Sequence, residues 1–301
     1  MKHLAFGIAL VASSAYADEQ IWQQMVSRGR SVTSNFKEQV YPRLSAKERS
    51  IAEQIIYRIV ATPAANAQAR VDAHGQRRIE VGAGLMLTYE LMSVAMTMQA
   101  YGNPQCGKDY IEELFAGIDE STYLSRLGQK ARPGVEPFEY AARHPSNCQN
   151  VTVRNFQENS NAMRGQQALL GGSLRWLLAH ELGHHLFNHV MSAPENTADS
   201  RRRESEADSF ANRIAVVDGP DAIGWAMPAY LTMIRLGASG ENENASTHPA
   251  GARRARILFD TLAALPDKVP AFRADLEARG LLQSWSEKMS MIRKAIEEDL
   301  K

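Results

Sequence analysis

The chain is poor in cysteine: its 301 residues include two, Cys106 and Cys148. Without a Cys-x-x-Cys spacing, a cysteine-ligated metal site is excluded. Neither sign of charge is in excess, with 34 basic against 34 acidic residues. The basic footprint of a nucleic-acid binder is therefore missing, and the short run Arg201-Arg202-Arg203 reads as a solvated helix start. Long apolar runs are missing too: beyond the N-terminal stretch none is long enough to cross a bilayer. No repeat recurs at a fixed period, which excludes a solenoid. A chain of this length can bury a substantial core without those devices, in one or two domains.

At the N-terminus, Met1-Lys2-His3 is short and positive, residues 4–11 are apolar, and Ala15-Tyr16-Ala17 matches a small-x-small cleavage site. We therefore expect residues 1–17 to be a signal peptide and Asp18 to start the mature chain, with a retained anchor as the rival reading. No cysteine follows the apolar stretch, so lipid anchoring has no support. The expected location is outside the cytoplasm, in the periplasm if the source is Gram-negative. There, a lone pair of cysteines reads as one disulfide, Cys106–Cys148, in preference to two separate thiols. On the chain-entropy account, closing a loop of about forty residues would stabilise the fold by around 3–4 kcal/mol.

The most informative segment is His180-Glu181-Leu182-Gly183-His184. Histidines four apart on a helix share a face, and both rings could reach one Zn²⁺ at about 2.0–2.1 Å. Glu181 is then placed to take a proton from water at the metal. Leu174, Leu177, Leu178, Leu182, Leu186 and Phe187 surround the motif, so a half-buried helix is expected, with Gly171-Gly172-Ser173 as its break and N-cap. His185 and His189 are also four apart, but Leu186 stands where the base should be. That pair reads as a polar helix face, with His185 able to donate a hydrogen bond to a ligand.

Catalytic zinc takes a third protein ligand. In Arg203-Glu204-Ser205-Glu206-Ala207-Asp208, Glu204 and Asp208 are four apart on an expected second helix. Glu204 could ligate while Asp208 orients a ligand imidazole, that of His180 first. Glu206 is the competing ligand, with Phe210 four residues on. An unadorned charged helix start is the plain alternative.

These motifs, H-E-L-G-H followed by E-x-E-A-D, resemble a family of zinc peptidases that includes the CaaX prenyl endopeptidases and the HtpX and BepA proteases. The resemblance covers about residues 170–257. It implies Glu204 as third ligand and Asp208 as the closing aspartate. It also implies a role for Ser246-Thr247-His248-Pro249 and a downstream arginine. Of Arg253, Arg254 and Arg256, Arg254 fits the spacing best. His248 and Arg254 would stabilise an oxyanion or gate the site; a loop or helix start is the plain alternative for His248. Relatives with several membrane spans are not matched; soluble, exported ones are.

The rest of the chain reads as mainly α (α+β). The resemblance implies a zincin-like domain, residues 18–301, with a small sheet beside the HELGH helix. Residues 18–61 read as helical with a break at Pro42, and Ser45 with Glu48 forms a capping box for a helix through Ile51, Ile55, Ile56 and Ile59. Residues 78–84 read as a strand and 85–101 as a Met-rich core helix. Residues 102–165 form an insertion, much of it loop by its prolines, whose residues 151–156 alternate as a strand: a core strand, or an edge for an extended substrate. Residues 228–236 and 250–265 read as helices, 237–247 as a polar flap and 281–300 as a docking helix.

The expected protein is a zinc-dependent endopeptidase holding one Zn²⁺ per chain through His180, His184 and Glu204. By resemblance, its substrates would be misfolded or misassembled envelope proteins, with envelope assembly machinery as partner and no integral membrane span. A zinc-bound chaperone or assembly factor with little turnover is one alternative, and a small-substrate zinc hydrolase such as an aminopeptidase is another.

Overall fold

The computed structural model describes residues 15–126, 134–216, 226–236 and 251–299. It is mainly helical with one three-stranded sheet among the described residues. A long helix, α1 (Ala15–Val40), leads through a 3-10 turn at Tyr41–Arg43 into α2 (Ala46–Ala52). The Ser45–Glu48 capping box forms in both directions at the start of α2. The helix it starts is shorter than expected. After Ala52 the β-branched run Ile55, Ile56, Ile59, Val60 turns extended as β1 (Ile56–Val60), the conformation such side chains pack best in. Most of the expected leader lies outside the described residues.

Strands β2 (Ala67–Val71) and β3 (Arg77–Gly82) complete the sheet in the order β1-β3-β2. β1 runs parallel to β3 and β2 antiparallel to it, with Ala67 opposite Val81 and Val71 opposite Arg77. β2 is therefore an edge. The 61–66 link crosses the β3 end, where Gly82 N–H donates to Asn66 O and Gly84 N–H to Thr62 O, each at 2.9 Å. A Cβ at Gly84 would overlap the Pro63 carbonyl, so glycine is required for this close approach.

From that turn α3 (Ala83–Tyr101) runs buried through the molecule. The stretch after it was expected to be largely loop. It is instead helical: α4 (Pro104–Arg126), α5 (Pro137–Arg143) and α6 (Val153–Glu158). Pro104 and Pro137 stand in the first turn of their helices, where the missing N–H costs nothing. The strand expected at 151–156 is also corrected, because the Thr152 side chain accepts from Asn155 N–H at 3.1 Å and starts α6. Cys106 and Cys148 form a disulfide that ties the first turn of α4 to the loop after α5.

Helix α7 (Ser160–Leu186) starts at Asn159, whose side chain accepts from the N–H groups of Asn161 and Ala162. It passes through Gly171-Gly172 without a break. The flanking Leu170, Leu174, Leu177 and Leu178 are all buried, and their burial outweighs the weak helix propensity of two glycines. A 3-10 turn (His189–Met191) and α8 (Thr197–Val216) follow. Then come α9 (Met227–Leu236), α10 (Gly251–Ala263), α11 (Leu265–Lys268), α12 (Pro270–Ala278) and α13 (Leu282–Asp299). The expected flap at 237–247 lies outside the described residues.

Candidate metal centre

Two helices build the site. α7 supplies His180, Glu181 and His184, and α8 supplies Glu204 and Asp208. They can cross closely because the contact is between Gly183 and Ala207: a Cβ at Gly183 would sit 3.1 Å from Ala207 Cα. The small residues inside the two motifs thus bring the carboxylates of one helix under the imidazoles of the other.

His180 Nε2 lies 3.2 Å from His184 Nε2. The two oxygens of Glu204 are each 3.5 Å from one of these nitrogens. Four ligands placed tetrahedrally at about 2.0–2.1 Å are about 3.3–3.4 Å apart, so the three side chains fit a small divalent cation. They form the one group of that kind among the described residues. Glu204, and not Glu206, takes this place.

The far side of each ring is held as well. His180 Nδ1 is 2.8 Å from Asp208 Oδ1, a contact that turns Nε2 towards His184 and Glu204. The indole of Trp176, one turn back on α7, stacks on the His180 ring at 5.5 Å. Trp176 Nε1 donates to Asn212 Oδ1 at 2.8 Å, and Tyr230 OH donates to the same oxygen at 3.0 Å. On the other ring, His184 Nδ1 is 3.1 Å from His189 Nδ1, and His189 Nε2 is 2.9 Å from Glu206 Oε2.

These environments divide the charge. Burial pushes the His180 ring down, but the Asp208 and Glu204 carboxylates outweigh it and its pKa is raised to about 10. Burial and the neighbouring His180 charge push His184 down to about 3, against the pull of Glu204. The pair thus carries one positive charge between two carboxylates, a place a dication can take over. Burial also holds His189 below its ordinary range, outweighing Glu206. For Glu206, burial is outweighed by His189 and Arg202, and the carboxyl is lowered.

The centre opens into a cleft of about 450 Å³ lined by residues 65–69, Leu85, Leu177, Glu181 and Met233. Glu181 is buried there at 6 % exposure. The wall formed by residues 65–69 includes the start of edge strand β2. A second cleft of about 580 Å³, beside the disulfide, is lined by Phe138, Ala141, Pro145 and Val151 among others, with no titratable side chain.

The other sequence candidates fall elsewhere. His248 lies outside the described residues. Arg254 is on α10, but its side chain is outside them too; Arg256 pairs with Asp260 on its own helix. His185 does not serve a ligand: its Nε2–H donates to Arg78 O at 2.9 Å and fastens α7 to β3. Arg77 returns the link, donating to His185 O and Asn188 Oδ1. Sequence reasoning missed Trp176 and β2, and it misplaced others: His185 and His189 are buried, not a polar helix face, and Glu206 meets His189 instead of competing for the metal position. His189 carried one signal, its position five residues after a ligand, just past a helix end.

Neither a curated protein nor a solved structure matches the chain. A family profile described as Peptidase U49 matches residues 119–273, a span that holds α7, α8 and all five residues of the centre. The motif that reads as peptidase chemistry therefore sits inside a peptidase family match that covers half the chain, and the protein belongs to the Peptidase U49 family.

Proposed function

We propose that this peptidase is a zinc-dependent endopeptidase of exported proteins, similar in its site to the HtpX and BepA group. The observation that carries the reading is the convergence of His180 Nε2, His184 Nε2 and the Glu204 carboxylate at 3.2–3.5 Å, with Glu181 in the same cleft. When bound, a Zn²⁺ ion there supplies Lewis-acid polarisation and makes water easier to deprotonate. The Glu181 carboxylate takes the proton of the attacking water and passes it to the departing amine nitrogen. Asp208 keeps His180 in the tautomer that presents Nε2. His248 and Arg254 are assigned to oxyanion stabilisation or gating on the sequence resemblance alone.

The substrate backbone has a place to lie. Gly82 N–H bonds Asn66 O and Asp72 N–H bonds Gln76 O, so alternation along the ladder turns the N–H and C=O of Ala67 and Ala69 to the outer edge of β2, where no further strand pairs among the described residues. An extended peptide adding to that edge would run past the metal ligands, which favours cleavage within chains. The disulfide and the leader-like N-terminus support an oxidising, extracytoplasmic location. N-terminal sequencing of the secreted chain should find Asp18 first.

Metal analysis should find one zinc per chain, and casein digestion should stop when a chelator removes it. Glu181→Gln should keep the metal and lose hydrolysis by about 10²–10⁴-fold, the usual worth of a general base. Undiminished digestion by this variant would overturn the assignment. Full rescue of a null strain by it would favour the chaperone reading instead.

A further inference from the structure

We infer that His189 is a positioning residue for the metal centre: it fixes ligand His184 through its second ring nitrogen, and Glu206 holds His189 in turn. The inference rests on the metal reading above and adds to it two residues from outside the HELGH motif.

The proton positions follow from the contacts. Two imidazole nitrogens 3.1 Å apart share one proton, since two acceptors or two donors would repel. His184 Nε2 faces His180 and Glu204. If it ligates, its proton is on Nδ1 and is donated to His189 Nδ1. His189 then carries its own proton on Nε2 and donates it to Glu206 Oε2, 2.9 Å away. Arg202 closes the series, donating to the other oxygen of Glu206 at 2.6 Å. His189 cannot itself be the missing ligand, because it meets the Nδ1 side of His184, away from the three converging donor atoms.

The two ligand rings are therefore oriented differently. His180 meets a carboxylate directly, on a helix. His184 reaches one through an intervening imidazole that stands on a turn. That turn is built for the purpose: Asn188 adopts a left-handed conformation (φ 59°), which ends α7 and swings the next residue back under it. Arg203, adjacent to ligand Glu204, donates to His189 O at 2.8 Å and Ser192 O at 2.7 Å. The side chain of His189 is 6 % exposed, while that of Glu206 is 39 % exposed.

The test measures Zn²⁺ affinity of the full chain by competition with a chelating dye, and the visible spectrum with Co²⁺ in place of zinc. His189→Leu should weaken zinc binding by about 10- to 100-fold, the usual cost of losing such a partner, and shift the Co²⁺ bands. His189→Asn, whose amide oxygen stands where Nδ1 does and can accept from His184, should recover most of the affinity. Glu206→Gln, at a half-exposed position, should weaken binding several-fold with the fold intact, and it decides the matter if His189→Leu does not fold. Native affinity and native Co²⁺ bands in a folded His189→Leu, or native affinity in Glu206→Gln when His189→Leu is unfolded, would overturn the inference. His184→Ala and Glu204→Gln distinguish the two levels: if they lose zinc while the His189 and Glu206 variants keep it, this inference alone fails. If they too bind zinc as the native chain does, the metal reading fails and takes the inference with it.

Discussion

The α7–α8 pair and the wing formed by α4 to α6 are held together by different means. In the wing the interior is apolar and covalent: Cys106, Tyr110, Phe115 and Cys148 are buried together, and its cleft has no titratable side chain. In the α7–α8 pair the interior holds His180, Glu181, His185, His189 and Asn212, all buried. A buried polar group is costly unless it is partnered: Asp208 partners His180, Glu206 partners His189, Arg78 on β3 partners His185, and Trp176 and Tyr230 partner Asn212. The wing holds an apolar, cross-linked interior, whereas the pair holds a polar one in which His180, His184 and Glu204 converge.

Four measurements would break or sharpen that contrast. The largest effect should come from Cys106→Ser with Cys148→Ser. Opening a loop whose ends are 42 residues apart should cost about 3–4 kcal/mol in denaturant unfolding and leave zinc affinity unchanged. Lost zinc binding at full folding would show the two regions to be one unit. Next is Asp208→Asn, which removes the anion at His180 Nδ1; dye competition should show zinc affinity down about 10- to 100-fold, with little change in the stability of the wing.

The third concerns pH. His180 is raised to about 10, so its proton must leave before Nε2 can ligate. Zinc affinity should rise by about tenfold per pH unit between about pH 7 and pH 9. In chelator the linkage has the opposite sign. A raised His180 contributes stability that is full below the unfolded pKa and lost as pH climbs towards 10. His184, pushed down to about 3, adds stability present above the unfolded pKa and lost as pH falls towards 3. Chelated protein should therefore be most stable near the ordinary histidine pKa of about 6.5, and a flat profile from titrated melting curves would contradict the charge division. The smallest effect is Gly183→Ala. Its Cβ meets Ala207 Cα at 3.1 Å, so α8 must give by a few tenths of an ångström, and zinc affinity should fall only a few-fold.

Much of the centre was legible because it is written in helical period. His180 and His184, and likewise Glu204 and Asp208, are each four apart, and one turn of helix fixes their shared face. The Met-rich helix and the Ser45 capping box were legible for the same local reason. Three features were not. β1 follows a capping box, so its isoleucines read as a continuing helix until the chain turns extended at Ile56. Residues 151–156 alternate like a strand, yet Thr152 caps a helix. β2, Ala-Gln-Ala-Arg-Val, has little strand preference before Val71 and is extended because β3 pairs with it.

By itself the sequence determined the helix that carries the two imidazoles, the Glu181 carboxylate between them, and the carboxylates one turn apart on a second helix, since these depend on backbone period alone. The tertiary structure decided which of Glu204 and Glu206 meets the imidazoles, which strand lines the cleft, and that His189 stands behind His184. Those outcomes depend on how closely α8 crosses α7 at Gly183 and on one left-handed residue at Asn188, contacts between distant segments that no local period encodes.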